Sequence, residues 1–289
     1  MGQVEAYVEG IRDLPVLPEI AQRIISLTDD PNPNIAKIAD LIQMDPTITA
    51  NILNIINSGY YALRREVTSV RQAVVLLGLK QIRNLVVTMV SVNHFVEPPG
   101  SHIKLSDFWN HSLAVATIAQ SLSNRFKYAE GSNVYLAGLL HDVGKVIIQC
   151  FYPEDMSRII EVIDSDHCSM YDAEQKVLGF SHAEIGGCLT RKWKLPQQVT
   201  ESIHYHHRCH RADDHVFAAI LQFSDYITKV RLYAVYGDQN VDIIFDEEPC
   251  WKILLATFTQ KNLDFERLLF EMDDEIDKAR ELVRQARGG

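Results

Sequence analysis

The string Gly138-Leu139-Leu140-His141-Asp142-Val143-Gly144-Lys145 sets an imidazole and a carboxylate side by side at the end of an apolar run that starts at Val134. Burying such a pair without compensation is costly. A divalent cation offsets that cost, because neutral imidazole and carboxylate are both ligands it accepts. Lys145 lies one helical turn past His141-Asp142, so the three share a face. Ala137 and Gly138, one turn before His141, leave room for other helices to approach. The alternative is a surface His-Asp pair, which fits poorly with Leu139, Leu140, Val146, Ile147 and Ile148 around it.

Further segments place ligand-type side chains on apolar faces. His111 lines up with Ala114, Val115, Ile118 and Leu122. Ser181-His182-Ala183-Glu184 reads as a capping box, with His182 in the first turn and Gly186 one turn later. His206 falls on the stripe of Val199, Ser202 and Ile203, with His207 beside it, and Asp225 follows Leu221 and Ala218. Taken singly, each has a plain reading as a satisfied core histidine, an exposed first-turn residue or a paired buried acid. Taken in order, His111, His141-Asp142, His182, His206-His207 and Asp225 read as one site gathered from five helices. Asp107, one turn before His111, is a candidate further oxygen ligand. His94, His102, His167, His204, His210 and His215 read as surface or loop residues. The group His206, His207, Cys209 and His210 would suggest zinc in isolation, but the chain leaves a helix there and Cys209 lacks a nearby partner cysteine.

The elements that must position these residues are helical almost throughout. The first half carries helices over 17–28, from a cap at Asn34 through Leu41, from Asp45-Pro46 through Ile56, and from Ser69 to Gly78, with another following through Val86. Asp before Pro at the first helical position is a start signal. Val96-Glu97-Pro98-Pro99-Gly100 cannot continue a helix and marks the main internal boundary. Helices are then expected at about 105–126, 132–149, 153–163, 169–178, 181–193, 196–207 and 214–232. A loop at 237–249, with a short extended piece at Val241–Phe245, precedes helices at about 250–259 and 262–286. The last is strongly charged and reads as a packed helix or a dimer surface. The domain reading is 1–100, 101–235 and 236–289.

The chain has 289 residues, enough for one large or two modest cores. A net charge of −10 does not draw the chain as a whole to DNA or to anionic membranes. Lys80, Arg83, Arg64 and Arg65 are the candidates for a local basic patch, with a solvated helix face as the plainer reading. Cys150, Cys168, Cys188, Cys209 and Cys250 are scattered without a CxxC pair, which suits reduced thiols in the cytoplasm. The N-terminus resembles no secretory signal, and the apolar runs read as too short to span a bilayer.

The ordered pattern resembles the HD superfamily of metal-dependent phosphohydrolases, whose signature is a His, a His-Asp doublet and a later Asp. Leu14-Pro15-Val16-Leu17-Pro18, the stretch Ile38–Tyr61 and the stretch Thr68–Val86 are similar to the HDOD branch, a hydrolase-related output domain of bacterial signal transduction. The resemblance covers about residues 13–230. It implies an all-α fold, an HD-type helical bundle preceded by an HDOD-type N-terminal helical subdomain. His182, His206 and His207 match the added ligands that permit a second metal in the related HD-GYP enzymes. Those enzymes carry a Gly-Tyr-Pro loop after the paired histidines; here the chain reads Arg208-Cys209-His210-Arg211, which points away from cyclic di-GMP hydrolysis.

The resemblance therefore implies a signalling output module with a retained mono- or dinuclear site. Its partner would be a signalling protein or a fused sensor or receiver domain, with a nucleotide as a candidate ligand and a homodimer as a candidate assembly. The alternative is a metal-dependent phosphohydrolase acting on a nucleotide or cyclic dinucleotide. Asp142 would then bridge two metals, with His111, His141 and Asp225 on one and His182, His206 and His207 on the other. Lys145 would stabilise charge on phosphoryl oxygens. Iron or manganese suits the mixed nitrogen and oxygen donors, with nickel, zinc and magnesium as other occupants.

Overall fold

The structure, a computed structural model, describes residues 2–30, 32–58, 65–128, 131–231, 235–236, 238, 243–258, 270, 272 and 277. Among these the chain is helical, with no strand. In order the helices are α1 (Gln3–Glu9), α2 (Glu19–Thr28), α3 (Ile35–Gln43), α4 (Pro46–Asn57), α5 (Val70–Leu77), α6 (Leu79–His94) and α7 (Leu105–Phe126). Then come α8 (Val134–Leu140), α9 (Val143–Phe151), α10 (Pro153–Asp166), α11 (Met170–Leu178), α12 (His182–Lys192), α13 (Gln197–His204), α14 (His215–Val230) and α15 (Pro249–Thr257). The expected helix at 262–286 lies outside the described residues apart from 270, 272 and 277, and so does Arg64. Of the expected extended piece Val241–Phe245, Val241 and Asp242 lie outside them too; Ile243 and Ile244 form no strand, and Phe245 opens a 3-10 turn, Phe245–Glu247.

The chain divides into two compact units, one of Pro15–Val96 with Asp277–Gly289, the other of Met1–Leu14 with Glu97–Ile276. The first fourteen residues, read from sequence with the N-terminal subdomain, cluster with the later unit.

In the unit Pro15–Val96, start signals set the helices. Asn34 accepts from the Lys37 amide, Asp45 from those of Thr47 and Ile48, and Ser69 from that of Gln72. Each cap satisfies a donor that a helix end leaves open. Gly78 separates α5 from α6 at φ 83°, a backbone state that favours glycine. Ile24, Ile38, Ile42, Ile52, Ile56, Ala73 and Ile82 are fully or almost fully buried between these helices. Arg83, a candidate for a basic surface patch, is instead 2 % exposed and pairs with Asp29 at 3.3 Å.

In the later unit, α7 packs along α8, α12 against α9 and α13, and α14 against α7, α8, α13 and α15. Val134–Phe151 has the length and composition to cross a membrane, but 89 % of it is buried inside the protein, where it forms the centre of the core. The helix expected over 132–149 is broken at His141-Asp142, between α8 and α9. The reason is tertiary. A Cβ on Gly144 would stand 2.1 Å from the His182 carbonyl oxygen, so the start of α9 touches the backbone at the start of α12. A straight continuation would not reach it. The expected helix over 196–207 ends at His204, and His206 and His207 occupy the turn that follows.

A candidate metal centre

Six of the seven expected ligands, His111, His141, Asp142, His182, His206 and Asp225, are at most 1 % exposed, and His207 is half-buried. They come from α7, the α8–α9 break, the first turn of α12, the turn after α13, and α14. The crossing of α7 and α8 is close because Gly138 has no side chain; a Cβ there would lie 2.5 Å from the Ala116 Cα. That approach brings His111 Nε2 to 3.3 Å from His141 Nε2.

Asp142 divides the site. Its Oδ2 lies 3.4 Å from His141 Nε2 and 3.6 Å from His111 Nε2. Asp225 Oδ1 joins that group, 3.2 Å from His111 and 3.7 Å from His141. Asp142 Oδ1 faces the other way, 3.1 Å from His182 Nε2 and 3.6 Å from His206 Nε2. His207 Nε2 lies 2.9 Å from His182 Nε2. Two sets of donors thus share one carboxylate: His111, His141 and Asp142; and Asp142, His182, His206 and His207, the atoms of each set lying within 4.8 Å of one another.

The imidazoles are aimed by their outer nitrogens. His141 Nδ1 donates to the Gly138 carbonyl at 2.8 Å and His206 Nδ1 to the Ile203 carbonyl at 2.7 Å. His182 Nδ1 donates to Glu174 Oε2 at 2.6 Å, and the His182 amide donates to the same oxygen at 2.8 Å. A carbonyl or carboxylate only accepts, so Nδ1 of each ring carries a proton and Nε2 points inward.

The titration of these groups follows from enclosure and mutual charge. Burial opposes the charge on Asp142, but His141, Lys145 and His182 hold its carboxyl well below the usual range. Asp225 is also held low against burial, mainly by Lys229, with His111 and His141 beside it. Burial pushes His206 down to about 4, and burial with His206 and His182 nearby lowers His207 too. His182 goes the other way: burial disfavours its charge, but Glu174, followed by Asp142, raises it to about 9.

The donor set fits a divalent cation on its own terms. Asp142 Oδ1, Asp225 Oδ1 and His206 Nε2 are buried without a well-formed hydrogen bond, and Asp142 Oδ2 has the Lys145 ammonium beside it. Such atoms are expensive inside a protein, and a cation between them satisfies the whole group.

Several residues in and around this centre differ from the sequence reading or lay outside it. Lys145, expected to face substrate, is fully buried, with Nζ 2.8 Å from Asp142 Oδ2 and 2.5 Å from Asp238 Oδ2. Lys229 Nζ lies 2.7 Å from Asp225 Oδ2, an i,i+4 pair on α14 that its spacing could have revealed. Glu174 sits beside Met170 and Ala173 on the buried face of α11, an acid on an apolar stripe. Tyr171 packs against His207 at 4.7 Å between ring centroids, with the Arg208 guanidinium 5.4 Å from its ring. Asp107, the expected extra oxygen ligand, is exposed at the first turn of α7 and accepts from Ser106 instead. His204 is half-buried rather than a surface residue, its ring against Gly187.

Glu174→Gln replaces the charged acceptor behind His182 with a neutral one. Second-layer carboxylates of this kind are worth about 10- to 100-fold in metal affinity. A titration with Mn(II) should show that loss at one position only; equal affinity in both proteins would remove Glu174 from the centre.

An all-helical unit with a histidine–aspartate cluster divided by one His-Asp doublet defines the class of HD-type proteins. The HDOD domain model matches residues 14–209, and the chain belongs to the HDOD family. An HDOD domain protein with unknown function from Geobacter sulfurreducens is 30 % identical, with 98 % of this chain and 97 % of that one covered and a TM-score of 0.85. A protein provisionally described as a phosphohydrolase, from Shewanella amazonensis SB2B, shares the fold at 22 % identity, with 99 % and 98 % covered and a TM-score of 0.76. An uncharacterized protein of Treponema pallidum (strain Nichols) is 25 % identical over 210 residues, 72 % of this chain. The match spans 40 % of that protein's length.

Proposed function

We propose that this chain is a signal-transduction output module whose HD-type unit holds a pair of divalent metal ions. The observation that carries the reading is the division of Asp142, with one oxygen toward His111 and His141 and the other toward His182 and His206. Iron and manganese suit this mixture of imidazole and carboxylate, with nickel, zinc and magnesium as other candidates. A metal pair supplies Lewis acidity and a lowered pKa for bound water. Enclosure favours a module over a catalyst: six donors are buried, and Lys145 is taken up by Asp142 and Asp238. The free state of all five cysteines supports a reducing cytoplasm, where the partner is a signalling protein or a sensor or receiver domain.

The second reading is phosphoester hydrolysis, of a nucleotide or cyclic dinucleotide. It is favoured by the half-buried His207, beside Tyr171 and the exposed Arg208, whose guanidinium would attract an anionic ligand. Asp142 would then hold the reacting centre, and Lys145 would reach a phosphoryl oxygen only by giving up Asp238.

Metal analysis of freshly purified protein, followed by hydrolysis assays with added iron or manganese on a generic phosphodiester and on cyclic dinucleotides, separates the readings. Bound metal without turnover on any of these supports the module. Turnover that disappears in Asp142→Ala supports the hydrolase. Failure to take up any divalent metal after reconstitution overturns both.

The raised His182 gives this proposal a pH signature. A proton on its Nε2 must leave before a cation binds there, so affinity at that position should rise with pH until about 9. Calorimetry in buffers of different ionisation enthalpy should record about one proton released per protein molecule as that position fills at pH 7.5. For the metal-free protein the sign is opposite. The stabilisation that a charged His182 brings is complete below its ordinary 6.5 and fades as pH rises through about 9.

A further inference from the structure

We infer that Asp238 is a positioning residue of the metal centre, which shares two buried lysines with the carboxylates that the cations need and so weakens the lysines' competition for them. The inference rests on the metal-binding reading above. Asp238 Oδ2 lies 2.5 Å from Lys145 Nζ and 3.7 Å from Lys229 Nζ. Each lysine also holds one carboxylate of the centre, Lys145 at Asp142 Oδ2 (2.8 Å) and Lys229 at Asp225 Oδ2 (2.7 Å). The result is an alternating row of Asp142, Lys145, Asp238, Lys229 and Asp225, no member more than 8 % exposed.

The competition is local. Asp142 Oδ2 is the oxygen that also faces His111 and His141, so an ammonium group resting on it opposes a cation at that position. Asp238 gives both ammonium groups a second partner and separates their like charges. Each effect has the same sign, toward tighter metal binding.

Asp238 is held for this task. Its amide donates to the Val235 carbonyl at 3.0 Å, closing a turn after α14, and Val235 is 1 % exposed. The hydroxyl of Tyr236 donates to Asp164 on α10 at 2.9 Å. A buried anchor on one side and a tether to α10 on the other aim the carboxylate inward.

The test is calorimetric titration of Mn(II) into the metal-free full chain. Asp238→Asn should bind about 10- to 100-fold more weakly than wild type, the range for residues that orient ligands from behind. In a Lys145→Met, Lys229→Met background the same substitution should change affinity by less than about twofold, because Asp238 acts through those lysines. A merely structural residue would show the same loss in both backgrounds, and that result overturns the inference. Wild-type affinity in a folded Asp238→Asn protein overturns it as well. Should Asp238→Asn alone not fold, Lys145→Met with Asp238→Asn removes one charge of each sign and is compared with Lys145→Met. A smaller loss, carried by Lys229, is then expected, and no loss overturns the inference. Wild-type protein that takes up no Mn(II) refutes the metal-binding reading itself, a result distinct from all of these.

Discussion

Asp142→Ala is expected to empty both metal positions at once. Among the described residues no other faces both donor groups: Oδ2 stands with His111 and His141, Oδ1 with His182 and His206. Losing both oxygens should exceed the roughly 100-fold upper range seen for second-layer changes. Lys145 keeps Asp238 as a partner at 2.5 Å, so the substitution does not strand a buried charge and the chain should still fold. The clean measurement is thermal unfolding with and without Mn(II). At a thousandfold excess over Kd, a bound ion stabilises the native state by about 4 kcal/mol. Wild type should gain this and Asp142→Ala should gain none. A variant that still shifts its Tm by the wild-type amount would mean the cation is held elsewhere.

The second large effect belongs to a residue with no side chain. In Gly144→Ala the new Cβ would sit 2.1 Å from the His182 carbonyl oxygen and 2.8 Å from its Cα, against backbone rather than a flexible tip. Relief requires α9 and α12 to move apart, and the contact between Asp142 Oδ1 and His182 Nε2, 3.1 Å long, lies at that junction. Overpacking of this kind costs about 3 kcal/mol or more, on the order of 10 °C in Tm for a unit of this size. The same variant should lose the metal position of His182, His206 and His207 while His111 and His141 still bind. Gly186→Ala is the control, because its Cβ would meet a movable Ile203 methyl at 3.0 Å. If Gly144→Ala melts and binds like Gly186→Ala, the close approach of the two helices is not what assembles the centre.

Much of the fold was legible because its signals are local. Asn34, Asp45, Ser69, Ser181 and Asp214 cap the helices they introduce, and each cap is a matter of a few neighbouring residues. The seven ligand-type residues stood out for a different reason, since polar groups on apolar stripes need an explanation. What stayed hidden was set by distant contact. Nothing in the apolar run from Val134 to Ile148 announces a break at His141-Asp142; the break follows from Gly144 meeting His182 in three dimensions. Asp238 lies in a loop with no periodicity to flag it, and its role exists only through lysines on two helices. Asp107 misled because only one side of the first turn of α7 faces inward: Leu105, Phe108 and Trp109 are buried there while Asp107 is exposed. The short α1 carried too few residues for a periodic pattern, and it is tied down by Tyr7, which stacks on Tyr152 and donates to Asp155.

On the two-ion reading, the half-buried His207 gives the centre an order of assembly. Every other donor is at most 1 % exposed, so among the described residues that ring is the one nearest solvent. An ion for the inner seat would pass the outer one, so filling would proceed from the back and emptying from the front, and the inner ion would stay for as long as its neighbour does.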